Sequence, residues 1–141
     1  MNFLAILADA YNPSLLVVTL LVCMRDWRRG VRLTSLEFLL MATIAYVWMF
    51  ADKATGAFSS VGLDYSTHTA TAVAMLLVAG TRVTPAWGAL LFVTFLGYAG
   101  LMKLLSYHSF ADVLTTAIFI LACYAVLKAG LRMSSLSRRD K

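Results

Sequence analysis

The chain has 141 residues, one domain's worth, of which 61% are hydrophobic and 13% charged, about half the charged share of a soluble domain. With a mean hydropathy of +0.80 and apolar runs of membrane length recurring along the chain, this argues against a water-soluble domain and predicts an integral membrane protein. The formal net charge of +5 falls in short patches between apolar runs, which argues against a nucleic-acid partner and suits the loops of a membrane protein.

The apolar stretches predict an all-α, polytopic transmembrane helix bundle of about five spans. Met1 to Leu7 carries no basic residue and no small-residue cleavage site, so no removable signal peptide is expected. The first stretch runs from about Phe3 to Met24 and is interrupted by Asn12-Pro13. Asn is a good N-cap and Pro suits the first helical position, so a helix is expected to start there. Pro13 to Met24 alone is too short to span a bilayer. Phe3 to Tyr11 then either adds a kinked first segment or lies in the interface, and Asp9 favours the interface because a lone carboxylate is costly in lipid. The second span is Leu33 to Ala51, the third about Ser66 to Gly80, the fourth Pro85 to Met102, and the fifth about Ser109 to Lys128. Residues 1–131 form one helical domain, followed by a polar, basic tail from Arg132 to Lys141. Cys23 and Cys123 lie inside apolar runs without metal-ligand spacing, as packing residues do.

Lysine and arginine set the expected orientation. Arg25, Arg28, Arg29 and Arg32 follow the first span. Arg82 follows the third, and Lys128, Arg132, Arg138, Arg139 and Lys141 follow the fifth. Five spans put all of them on one side, expected to be the cytoplasm, with the N-terminus outside and the C-terminus inside. The other polar residues collect on the opposite side. Asp52 and Lys53 end the second span, and Asp64, Tyr65, Ser66 and His68 open the third. Lys103 ends the fourth, and Tyr107, His108 and Asp112 open the fifth. Both histidines of the chain are in this set.

His108 and Asp112 are four apart, which on a helix puts them on one face. A carboxylate bonded to one imidazole nitrogen fixes the tautomer and frees the other nitrogen to attack or to accept a proton. Ser66, Thr67 and Thr69 surround His68 with hydroxyls, and the start of the third helix directs backbone N–H groups toward an anion. Two imidazoles on different helices suit covalent phosphoryl transfer, one as nucleophile and the other protonating the leaving group. Lys53 and Lys103 are placed to neutralise phosphate oxygens. Tyr65, Tyr98 and Tyr107 read as residues of an aromatic belt.

At these residues the chain resembles a known family. "YSTHT" followed by "YHSFADVL" is similar to the second and third signature motifs of the type 2 phosphatidic acid phosphatase superfamily. Ser66-Thr67-His68-Thr69 matches Ser-Gly-His-Ser/Thr apart from Thr67, and His108 with Asp112 matches the histidine and aspartate of the third motif. Asp64, Ser66, His68, Thr69, His108, Asp112 and Val113 also loosely echo the sphingomyelin-synthase-like lipid phosphotransferases. The resemblance implies a phosphohistidine at His108, oriented by Asp112, with His68 as general acid and without metal or other cofactor. The phosphate would be held by Lys53, Ser66, Thr67, Thr69 and Lys103, with Asp64 and Tyr107 beside it.

The departures are specific. No Arg-Pro follows Lys53, and Met102 stands where the third motif carries arginine. A planar, bidentate phosphate clamp is thereby lost. The expected function is a lipid phosphatase or phosphotransferase working on a lipid phosphate, pyrophosphate or phosphodiester at the outer face of a plasma or bacterial inner membrane, on the periplasmic side. Its partners would be a lipid substrate and the membrane, with a homo-oligomer left open. The alternative is a non-catalytic protein of the same superfamily that binds or transports a lipid headgroup.

Overall fold

The computed structural model describes residues 3–137, with side chains through Met133. Five α-helices run antiparallel in sequence order: α1 Phe3–Arg28, α2 Leu33–Thr55, α3 Thr67–Gly80, α4 Pro85–Leu104 and α5 Phe110–Ser137. A short 3-10 turn at Ser59–Val61 lies between α2 and α3. No strand occurs among the described residues. Helices α1, α2, α4 and α5 are each long and apolar enough to cross a membrane. The molecule is thus an all-helical bundle of membrane-spanning character.

Two expectations change at the ends of the chain. Asn12-Pro13 does not start a helix, because α1 is continuous through Pro13 for 26 residues, about 39 Å at 1.5 Å per residue. Proline removes one backbone donor, a loss that a packed apolar helix tolerates when a neighbour supplies hydrogen bonds. Beside the proline, Asn12 Nδ2 ties α1 to α3, donating to the His68 carbonyl at 3.1 Å and to Thr71 Oγ1 at 3.3 Å. At the other end, α5 continues beyond Arg132 to Ser137, so the tail begins later than its polarity suggests. Residues 138–141 lie outside the described residues.

The third element is the short one. Helix α3 has 14 residues, about 21 Å, against about 30 Å of hydrocarbon core. It packs against all four other helices. Its small side chains explain why: Ala70, Ala72, Ala74 and Ala79 are buried on different faces, with Val73, Met75 and Val78 between them. Small residues let backbones approach closely, which is how apolar helices associate when no hydrophobic force separates them from lipid. Met41 and Ala45 of α2, Leu15 of α1, Phe95 and Tyr98 of α4, and Ile120 of α5 close around it. The outer faces carry exposed Leu39, Val47, Val93, Ile118 and Val126, the pattern of a bundle whose solvent is lipid.

The loops hold the helices in register. Gly30 takes a left-handed φ of 78°, with Gly30 N–H donating to Trp27 O and Val31 N–H to Asp26 O, so α1 ends in a Schellman turn. Helix α4 ends the same way at Ser106, whose φ is 55°. Ser106 N–H donates to Lys103 O and Tyr107 N–H to Met102 O. That turn delivers Tyr107 and His108 to the mouth of the bundle.

Candidate active site

The contacts separate the two ends of the bundle. Asp64, His68, His108 and Asp112 meet at one end, and Arg25, Glu37, Arg82 and Lys128 meet at the other. This is the segregation read from the sequence.

At the histidine end, α5 begins with a capping box. Ser109 Oγ accepts from Asp112 N–H at 3.1 Å, and Asp112 Oδ2 accepts from Ser109 N–H at 2.8 Å. The other carboxylate oxygen of Asp112 accepts from Asp64 N–H at 2.8 Å. Asp112 is therefore spent on two backbone donors and does not orient the His108 ring. The expected pairing of His108 with Asp112 assumed both on one helix, but α5 starts at Phe110 and His108 precedes it. The carboxylate beside the ring belongs to Asp64, whose Oδ2 lies 3.2 Å from His108 Nδ1. It sits off the N–H direction, so the buried Nδ1 makes no aligned hydrogen bond.

Ser66 is the N-cap of α3, accepting from Thr69 N–H at 3.2 Å and donating to Thr69 Oγ1 at 2.9 Å. Its own N–H donates to Thr116 Oγ1. Ser66 and Thr69 are fully buried, so they build the helix start and do not face a ligand. The expectation that they contact phosphate is corrected by that burial. Tyr65 is also a buried anchor rather than a belt residue. Its hydroxyl donates to Ala45 O at 2.9 Å, and its ring packs edge-on to Phe58 at 5.3 Å. Burial pushes its phenol pKa well above the usual value. Tyr98 is buried too, stacked on Tyr11 with ring centroids 4.3 Å apart.

Two cavities flank the histidines. One of about 590 Å³ is lined by Lys53, Asp64, Tyr65, Thr67, His68 and His108, with Asn12, Tyr46, Met49 and Thr71. The other, of about 310 Å³, is lined by His68 and His108 again, with Ala8, Asp9, Tyr98, Met102 and Tyr107. The structure thus brings together His68, His108, Asp64, Lys53, Thr67 and Tyr107. Lys103 lines neither cavity and sits exposed in the last turn of α4.

Asp9 and Asn12 join the site unannounced by motif. Asp9 is carried there by the continuous α1, exposed on the cavity wall at the same end of the bundle as the histidines. A clue lay in the sequence, since an isolated carboxylate and carboxamide inside an apolar run mark a polar cavity within a bundle. Among the described residues, three buried polar atoms lack a well-aligned hydrogen-bond partner: Asn12 Oδ1 and Tyr98 Oη, which lie beside each other, and His108 Nδ1. All three belong to residues lining these two cavities. Buried polar atoms are nearly always paired, and exceptions point to places built for something else.

No family model, curated protein or solved structure matches the chain.

Proposed function

We propose that the chain is a membrane lipid phosphotransferase or phosphohydrolase that works through a phosphohistidine at His108. The observation that carries this reading is the placement of two imidazoles from different elements on the shared wall of two cavities, one of them facing a carboxylate. With Nδ1 turned to Asp64, Nε2 of His108 is the nitrogen left to attack phosphorus. The P–N bond forms as the bond to the leaving oxygen breaks, and His68 delivers a proton to that oxygen. His68 then takes a proton from water or from an acceptor hydroxyl as it attacks the phosphohistidine, which returns both imidazoles to their starting state. Resemblance to the type 2 phosphatidic acid phosphatases supports the same roles for His108 and His68. The orienting role passes from Asp112 to Asp64.

Charge narrows the substrate. Lys53 is the one lysine or arginine among the described residues that line the two cavities, and together with the His68 imidazolium that serves as the acid it faces two carboxylates, Asp9 and Asp64. A phosphate monoester brings about two negative charges at neutral pH and would find no surplus cation there to offset them. A phosphodiester brings one. The wall therefore favours a phosphodiester lipid as donor, at a site opening on the face opposite the basic loops. The same shortage of cations favours, as the second reading, a protein that binds a lipid headgroup without turning it over.

The test is product release from the purified protein in detergent. Phosphatidic acid, a prenyl pyrophosphate and a phosphodiester lipid are offered with and without an acceptor lipid, beside His108→Ala. Product from the phosphodiester that disappears in His108→Ala is the expected result. Saturable binding with no product under any condition would select the headgroup-binding reading. Full activity in folded His108→Ala would end the phosphohistidine proposal.

A further inference from the structure

One stripe of α2 joins the histidine site to a groove deeper in the bundle. Phe38, Ala42, Tyr46, Met49 and Lys53 follow one another at spacings of three or four residues, so they share a face of the helix. Met49 and Lys53 line the larger histidine cavity. Phe38 and Ala42 line a groove of about 360 Å³ between α1 and α2, and Tyr46 lines both. Helix α3 repeats the arrangement: Thr67 lines the histidine cavity, Ala74 the groove, and Thr71, between them on the same face, lines both. Asn12 of α1 is the third shared residue. The groove is therefore the inward continuation of the candidate active site.

The groove exists because α1 and α2 pack on α3 more than on each other. Where they would meet, Ala42 and Ala74 offer one methyl group each and Pro13 a short ring, which leaves the space unfilled. Pro13, Leu16 and Tyr46 are exposed, so the groove opens sideways to lipid. Phe38, the deepest of its α2 residues, packs against the core. Polarity changes along the passage. From Lys53 to Tyr46 is about 10 Å of helix, and the walls there carry Asp64, Thr67 and both histidines. From Tyr46 to Phe38 is about 12 Å more, and Leu16, Ala42, Ala74 and Met75 make the walls apolar. Asn12, Tyr46 and Thr71 stand at the boundary. A leaflet of the bilayer changes in the same order, from headgroup to about 15 Å of hydrocarbon.

We infer that this groove holds one acyl chain of the phosphodiester lipid whose phosphate reaches His108, and that Ala42 keeps the groove open for it. The inference rests on the proposed function for the place of the headgroup. A passage polar over one half and apolar over the other matches a molecule built the same way, and a soluble phosphate ester would leave the apolar half empty. Lipid tails are as apolar as the groove, so the chain gains little from hydrophobic burial there. What it gains is orientation: a held chain fixes the depth and angle of the phosphate against Nε2 of His108. The ester region of the lipid then lies at Asn12, Tyr46 and Thr71, whose amide and hydroxyl groups suit it.

The test uses full-length protein in neutral detergent, with dioleoyl and dihexanoyl phosphatidylglycerol as probes, one phosphodiester headgroup on long and short chains. Native mass spectrometry measures binding in the His108→Ala background, where no turnover consumes the probe, and product release is followed beside it with His108 intact. The quantity read is the preference for the dioleoyl lipid over the dihexanoyl, in which changes at the headgroup or in the folded fraction cancel. Ala42→Trp fills the groove from α2 and should lower that preference about tenfold, the lower end of what one methylene is worth in an apolar pocket. Leu16→Trp fills it from α1 and should do the same, and it decides alone if Ala42→Trp fails to fold. Val93→Trp, on the exposed face of α4, should keep the wild-type preference. A preference unmoved by the groove substitutions would overturn the proposal, as would wild type without preference for the longer chain. An equal fall in Val93→Trp would also overturn it and assign the chain to the lipid surrounding the bundle. Absence of product from wild type would end the catalytic reading, and the binding preference would then decide the groove by itself.

Discussion

Asp64 Oδ2 lies 3.2 Å from His108 Nδ1, while the backbone N–H of the same Asp64 donates to Asp112 Oδ1. One residue therefore links the capping carboxylate of α5 to the imidazole, with its main chain held by one and its side chain facing the other. Asp112 acts on His108 through Asp64. Asp64→Asn keeps the N–H that Asp112 needs and removes only the charge beside the ring. Its turnover is expected to fall on the order of 10²-fold, with thermal stability within about 0.5 kcal/mol of wild type. Asp112→Asn weakens two charge-assisted bonds to backbone, each worth about 1.5–3 kcal/mol, and should lower both stability and turnover. Thermal melts beside the release assay separate the two. Wild-type turnover in Asp64→Asn would remove it from the mechanism.

Ser66 and Lys53 should part company in kinetics. Ser66→Ala removes an N-cap and is expected to cost about 1 kcal/mol of stability without raising KM. Lys53→Met removes the one lysine or arginine among the described residues of the two cavity walls and should raise KM several-fold with little change in melting temperature. A KM increase in Ser66→Ala would restore that hydroxyl to the binding site.

Ser106 is a non-glycine residue in the left-handed region, at φ 55°. A side chain there costs about 1–2 kcal/mol, which glycine avoids. Ser106→Gly should raise the melting temperature, offset in part by glycine's greater freedom in the unfolded chain. A lower melting temperature would show that the serine side chain contributes more to the turn than the strain takes away.

Tyr65 gives the fold an alkaline limit. Its phenol pKa is raised by burial above the ordinary value of 10.0, so the unfolded chain loses this proton first as pH rises. The stability contribution is complete below pH about 10 and is lost above it, as pH climbs toward the folded value, at about 1.4 kcal/mol per pH unit. Tyr65→Phe loses the hydrogen bond to Ala45 O, about 1 kcal/mol at neutral pH, and should flatten the decline above pH 10. Denaturation followed from pH 8 to 11 reads both effects, and an equally steep decline in the variant would assign it to other groups.

Hydropathy and the placement of charge add up residue by residue, and so the bundle was legible in the sequence. Apolar runs located α2, α4 and α5, and the clustering of arginines and lysines away from the histidines marked the two ends before any contact was known. Gathering His68, His108, Lys53, Thr67, Asp64 and Tyr107 at one mouth follows from the same alternation of direction. What the sequence by itself did not determine is pairing. Whether Asp112 or Asp64 faces His108 turns on a two-residue offset between the end of the loop and the start of α5, and Ser109 settles it by forming a capping box. Whether Ser66 and Thr69 reach a ligand or the interior depends on the surface that Thr116 brings from 50 residues away. The central role of α3, the continuity of α1 through Pro13, and the joining of Glu37 to Arg82 and Lys128 are likewise tertiary. Each depends on which surfaces of separate helices meet, and helix-to-helix contact between side chains far apart in the chain leaves no periodic trace along it.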